Sequence, residues 1–188
     1  MICQHWQYLI TLDSDLHKCS RFVDINSQNL RTYSIEFVRI LLAASSEIDV
    51  VAKILCNCID STKSYKNIND YRNTIVDKFP KFPSMIIDVL QYELQLTPWN
   101  EWSQNRNPGW WQAYNDVKHK RDDHFTDANL ENMLNAVAGL FVVVWYLHHE
   151  EPDRKKLNKT LLLSADRYIG GTRWANTYYY RIPEELTS

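Results

Sequence analysis

Within the seven positions 115–121 the chain places an amide, an ammonium, an imidazole and a guanidinium: Asn115, Lys118, His119 and Arg121. An imidazole titrates near neutrality, so it can take a proton from a ribose 2′-hydroxyl and return one to a leaving oxygen. A nearby cation can stabilise the negative charge that builds on the phosphorane during such a step. Metal-free RNA cleavage needs those two functions. His119 would supply the first as base or acid, and Lys118 and Arg121 the second. Asn115, one helical turn before His119, would orient the imidazole or the phosphate. The same side chains fit a competing reading. Together with Glu47 they would form an internal or dimer-spanning polar network in a non-catalytic interaction protein.

Both readings require a helix from Trp110 to about Asp122. On a helical wheel Trp110, Tyr114, Val117 and Arg121 share one narrow face. Lys118, Trp111, Asp122, Asn115 and His119 fill an adjoining arc of about 100°. Arg121, in line with the aromatic seam, should stack on it or pair with a buried acid. Two acids are offered by a long helix from about Ser34 to Ile59, in which Ile35, Val38, Leu41, Leu42, Ile48, Val51, Leu55 and Ile59 recur at helical spacing. Its solvent arc holds Arg39, Ser46, Asp49 and Lys53, whereas Glu47 falls within the apolar stripe, with Glu36 three turns earlier. A carboxylate so placed must find a partner or shift its pKa. The spacing predicts Glu47 to be largely buried and in contact with a cation or imidazole of helix 110–122.

The run Trp110-Trp111-x-x-Tyr114-Asn115-x-Val117-Lys118-His119-x-Arg121, then Phe125, Ala128-Asn129-Leu130 and an apolar helix, resembles the HEPN superfamily. So does Glu47-Ile48-Asp49 on a long upstream helix. The resemblance covers roughly residues 34–148. It implies an all-α bundle, usually dimeric, and many HEPN proteins are metal-independent RNases of toxin–antitoxin, abortive-infection and CRISPR systems. The family hallmark is an Arg, often followed by a polar residue, then four to six residues and a His. Here Gln112, Ala113 and Tyr114 stand where that Arg would be, and His124, His148 and His149 lack it as well. What matches is the degenerate form Asn115-x-x-Lys118-His119. The function implied is an RNA-related role in defence or stress, as a prokaryotic metal-independent endoribonuclease, with a homodimer, RNA and an antitoxin-like protein as partners.

The remaining elements complete the bundle. Residues 5–18 carry Trp6, Leu9, Leu12 and Leu16 at helical steps, 21–25 read as extended, and 26–29 as a loop. Residues 68–79 form a short helix stopped by Pro80 and Pro83. Tyr92, Leu94 and Leu96 alternate with polar residues, as in a strand. Asp127 or Thr126 caps a central helix that runs to about His149 and is apolar nearly all round. Residues 161–188 read as an extended tail packed on the bundle. The expected fold is mainly α: an up-and-down bundle of about five or six helices with one small β element, in a single domain spanning 1–188.

Composition narrows the function. With 188 residues, 45% hydrophobic and 13% aromatic, the chain has enough apolar mass for a large core. A net charge of −2 gives no global attraction to nucleic acid or anionic membrane, so RNA must meet a local patch. Leu134 to Leu147 is too short to span a bilayer. No basic, apolar leader opens the chain, and no CxxC pair occurs among Cys3, Cys19, Cys56 and Cys58, so reduced thiols and a cytoplasmic location are expected. Cys56 and Cys58 read as inert buried thiols. His119 and Asp123 are four apart, but HExxH and Cys/His clusters are missing, so neither metal nor cofactor is expected. Serine-hydrolase, P-loop and dinucleotide motifs are absent too. His148-His149 would complement a helix dipole, and Arg154-Lys155-Lys156 with Lys159 would be a solvated connection. Asp13, Asp15 and Asp24 would be solvated.

Overall fold

The computed structural model describes residues 2–150 and 160–165. It is mainly helical, with a small three-stranded antiparallel sheet. The basic run 154–159 and the tail beyond residue 165 lie outside the described residues.

Helix α1 (Ile2–Cys19) lays Trp6, Leu9, Leu12 and Leu16 into the core. It ends in hydrogen-bonded turns, with the Phe22 and Val23 amides both donating to the Cys19 carbonyl. Residues 21–23 therefore turn where an extended segment is expected. Helix α2 (Ile35–Ile59) starts where Ser34 caps it, the hydroxyl accepting from the Phe37 amide. Helix α3 (Ile68–Lys78) opens with a reciprocal capping box between Asn67 and Asp70. The tyrosine of α3, Tyr71, donates to Asp49 at 2.9 Å, so one acid of the α2 solvent arc is used as a helix-to-helix tie.

The hairpin of β1 (Ile87–Val89) and β2 (Leu94–Leu96) follows, with Ile87 opposite Leu96 and Val89 opposite Leu94. Strand β3 (Leu163–Ser164) pairs with the other edge of β1, Val89 opposite Leu163, giving the order β2-β1-β3. The segment 98–109 contains a 3-10 helix over Asn100–Gln104 where a plain loop is expected. It seats Trp99 and Trp102 against Phe82.

Helix α4 (Gly109–His119) is shorter than expected. Lys120, at φ −141° and ψ 52°, breaks it, and a separate four-residue helix α5 (Arg121–His124) begins. No Gly or Pro marks the break, but the charges suit it. Lys118 and His119 close α4, where the carbonyl end favours cations, and Asp122 and Asp123 open α5, where the amide end favours anions. A 3-10 turn (Phe125–Asp127) leads to α6 (Leu130–Glu150). Asn129, rather than Asp127 or Thr126, caps α6, its side-chain oxygen accepting from the Asn132 amide at 3.0 Å. The Leu130 and Glu131 amides are satisfied from outside, by the carbonyls of Thr32 and Leu30.

Helices α2 and α6 form the most extensive pairing, and α1, α3 and α4 pack around them. Residues 130–148 of α6 are long and apolar enough to cross a membrane, a window longer than the 134–147 stretch suggests, yet 83% of it is buried inside this fold. That burial is what a central core helix requires.

Candidate functional site

The α4–α5 corner holds all the side chains expected to do chemistry except Glu47, and it divides them into two groups. Trp110, Trp111, Tyr114 and Val117 are buried. Trp110 donates its indole N–H to the Pro98 carbonyl at 2.7 Å, and Trp111 packs between Trp110 and Tyr114. The aromatic seam anchors α4 to the core through α2 and α6. Lys118, His119, Lys120, Arg121 and Asp122 are exposed. The cations therefore gather at the surface where α4 ends.

Asn115 is half-buried and donates back to the Trp111 carbonyl at 2.9 Å, within its own helix. Lys118 reaches back over Tyr114, its Nζ 3.2 Å from the hydroxyl and 5.2 Å from the ring centre. Among the described residues His119 and Arg121 make no side-chain hydrogen bond or ion pair. Arg121 does not lie in line with the aromatic seam, because the helical phase is lost at Lys120. Among the described residues it neither stacks nor pairs. Both acids expected for it are used elsewhere: Glu36 binds Arg39, and Glu47 binds His5.

Glu47 is partly buried and does contact an imidazole, but that imidazole belongs to α1. The His5 Nδ1 lies 2.5 Å from the Glu47 Oε1. The expected contact with helix 110–122 is thus replaced by a tie between α1 and α2. The internal network of Asn115, Lys118, His119, Arg121 and Glu47 does not form within one chain.

Asp13, expected in solvent, is fully buried. Its carboxylate accepts from three successive backbone amides, Leu161 at 2.5 Å, Leu162 at 3.2 Å and Leu163 at 2.9 Å. Burial pushes its pKa above the ordinary carboxylate value, against the pull of those amides and of nearby His17. Asp15 is also engaged, bound by Arg39 and Lys18, which together hold its carboxyl below its ordinary value although desolvation opposes them. Asp24 is exposed, as expected. His148 is buried rather than set at an open helix end. Of the two paired thiols Cys56 is buried and Cys58 exposed, so only the first is the inert thiol expected.

The other side of α4 borders a cavity of about 640 Å³. Gln112, Ala113 and Asp116 line it from α4, and residues of β2, the 3-10 helix over 100–104 and α6 close it. Four carboxylates (Glu101, Asp116, Asp127, Glu131) face one guanidinium, Arg31. Such a lining repels phosphate, and none of the expected site residues reaches it. At its rim Asp116, His124 and Asp127 bring one ligand atom each within 4.8 Å of one another. The sequence carries a signal for this group, His124 and Asp127 at i and i+3, but Asp116 joins them only because the chain turns at Lys120.

No protein-family model matches the chain, and no curated protein or solved structure matches it.

Proposed function

We propose that this chain is a HEPN-like prokaryotic protein with an RNA-related role, acting as a metal-independent endoribonuclease at the α4–α5 corner. One observation carries this reading. Lys118, His119 and Arg121 stand exposed together, and the His119 imidazole has no competing partner among the described residues. An unengaged imidazole beside two cations is what attack by a ribose 2′-hydroxyl on the adjacent phosphorus needs. His119 removes the hydroxyl proton, the new P–O bond closes a cyclic phosphate, and the 5′-oxygen leaves with a proton. Lys118 and Arg121 stabilise the charge on the phosphoryl oxygens. Asn115 is tied to the Trp111 carbonyl, so it orients phosphate only by giving up that bond. The proton for the leaving oxygen would come from the His119 of a second copy, which makes a homodimer part of the proposal. Trp111 supports the helix and Asp122 flanks the corner. The thiols of Cys19 and Cys56 suit a reducing, cytoplasmic compartment. An antitoxin-like protein covering the corner completes this picture.

The test is cleavage of labelled single-stranded RNA in EDTA by wild type and His119→Ala. Metal-free cleavage lost in the variant supports the proposal. Absence of cleavage by folded wild type defeats it.

A second reading has an observation of its own. Phe22 is 85% exposed and Ile35 78%, large apolar surfaces that a protein partner would cover. In that reading the chain is a non-catalytic interaction or dimerisation protein. Sedimentation of wild type and a Phe22→Ser, Ile35→Ser double variant tests it; unchanged, monomeric behaviour of both would remove the self-association form.

A further inference from the structure

We propose that Asp116, His124 and Asp127 form a divalent transition-metal site that pins the α4–α5 corner, with Zn2+ or Mn2+ as the class of ion. The inference goes beyond the ribonuclease reading and does not depend on it.

The donor set is one imidazole nitrogen and two carboxylate oxygens, drawn from three consecutive elements. Asp116 lies on α4 before the break at Lys120, His124 ends α5, and Asp127 ends the following 3-10 turn. Nitrogen and oxygen donors together suit Zn2+ and Mn2+ better than the all-oxygen sites preferred by Mg2+ and Ca2+. The three ligand atoms lie within 4.8 Å of one another. With bonds of about 2.0–2.2 Å, tetrahedral ligands stand roughly 3.3–3.6 Å apart, so the side chains must close by about an ångström. They are free to do so, since His124 and Asp127 side chains are 36% and 41% exposed and none of the three is buried.

The corner is also lightly packed. No residue from Arg121 to Asp127 is buried. Polar contacts hold it: His124 Nδ1 to Asp127 at 2.8 Å, and Asn132 to the Asp127 carbonyl at 2.8 Å. Phe125 is the apolar contact here, packed against the core and edge-on to Tyr33, and an ion bound on both sides of Lys120 would add a cross-link between α4 and the residues that follow it. The outer contacts are already in place. Gln112 donates to both oxygens of Asp116, at 2.9 and 3.0 Å, and would orient that ligand. Asp116 and Asp127 both line the cavity, so a coordination position not filled by the protein opens into a polar, largely acidic space with room for water or a small ligand.

The experiment is calorimetric titration of the chelator-treated full chain with Zn2+, with Co2+ absorption as a second readout of coordination. One equivalent should bind. Asp116→Asn and His124→Gln, each checked for native circular dichroism, should each weaken it by more than the roughly 10–100-fold that loss of an outer contact costs. His119→Ala should bind as wild type, which separates this site from the proposed ribonuclease centre. Absence of stoichiometric binding overturns the proposal. So does binding that survives either ligand substitution, because the ion would then sit on other surface histidines.

Discussion

The imidazole of His5 and the carboxylate of Glu47 meet 2.5 Å apart, joining the first turn and a half of α1 to the middle of α2. Their side chains are only 12% and 18% exposed, so water screens the pair weakly. It also resolves the position of Glu47, which the helical wheel places in an apolar stripe. The stripe at that point is covered by α1, and α1 brings its own partner for the acid. His5→Ala and Glu47→Ala should each lower unfolding free energy by about 1–3 kcal/mol, the cost of leaving the partner's polar atom unsatisfied. The double variant should lose less than the sum, with a coupling of about 0.5–3 kcal/mol in a denaturation cycle. Strict additivity would show that the contact contributes nothing.

Asp13 predicts an unusual pH dependence. Its folded pKa lies above the unfolded value of 3.8 because burial outweighs the three amide donors. The native state therefore binds this proton more tightly than the unfolded chain does. The stabilisation is fully present below pH 3.8 and is lost as pH rises through the folded value. Asp13→Asn cannot titrate. The stability difference between wild type and this variant, read from melting midpoints, should shrink as pH rises above that point and then level off. A difference that grows with pH would mean that the amides dominate the burial.

At neutral pH the same carboxylate holds the segment 161–163 against α1. Asp13→Ala strips an acceptor from three backbone amides, two of them buried, and each orphaned group costs about 1–3 kcal/mol unless water replaces the carboxylate. Hydrogen exchange should show the amides of Leu161, Leu162 and Leu163 losing protection together in this variant. Retained protection at all three would show that pairing of β3 with β1 holds the segment without Asp13.

The uneven legibility of this chain follows from how far each interaction reaches along it. Helix α2 is readable because burial repeats its apolar spacing, α6 because it is apolar and buried nearly all round over residues 130–148, and strand β2 because its side chains alternate. The partners of Asp13 lie about 150 positions away and that of Glu47 lies 42 away, so no local pattern announces them. The break at Lys120 is the more consequential miss. It carries no Gly or Pro, so periodicity runs through it and places Arg121 on an aromatic face that it does not share. That one change of direction also creates the Asp116, His124 and Asp127 cluster. Lys118 and His119 precede the break and are exposed, whereas Trp111, in the same arc of the wheel, is buried.

The thiols should react very differently. Burial, aided by the charge of Asp70, pushes the Cys56 thiol up to about 12, so almost none of it is thiolate at pH 8. Cys58 is exposed two residues further on. Alkylation at pH 8 followed by mass spectrometry should label Cys58 in the native protein and Cys56 only after denaturant is added. Equal labelling in the native state would contradict the burial of Cys56.

Gly139 is where α6 meets the first turn of α4. A Cβ built there would lie 3.1 Å from a ring carbon of Trp110 and 3.5 Å from Ile48. Trp110 cannot easily give way, since its indole N–H is held by the Pro98 carbonyl and its ring stands edge-on to Trp99. Trp99 in turn donates to the Gly139 carbonyl at 3.2 Å. Removing a glycine from a helix gains about 1 kcal/mol of propensity, but overpacking a rigid core costs about 1–3 kcal/mol. For Gly139→Ala these terms nearly offset. Gly139→Val adds two branched methyls and gains less propensity, so it should destabilise by about 2 kcal/mol and displace α4 through Trp110. The displacement would be read as a changed tryptophan fluorescence and faster hydrogen exchange in α4. A stable Gly139→Val variant with unchanged α4 would show that Trp110 does not fix the helix that carries Lys118 and His119.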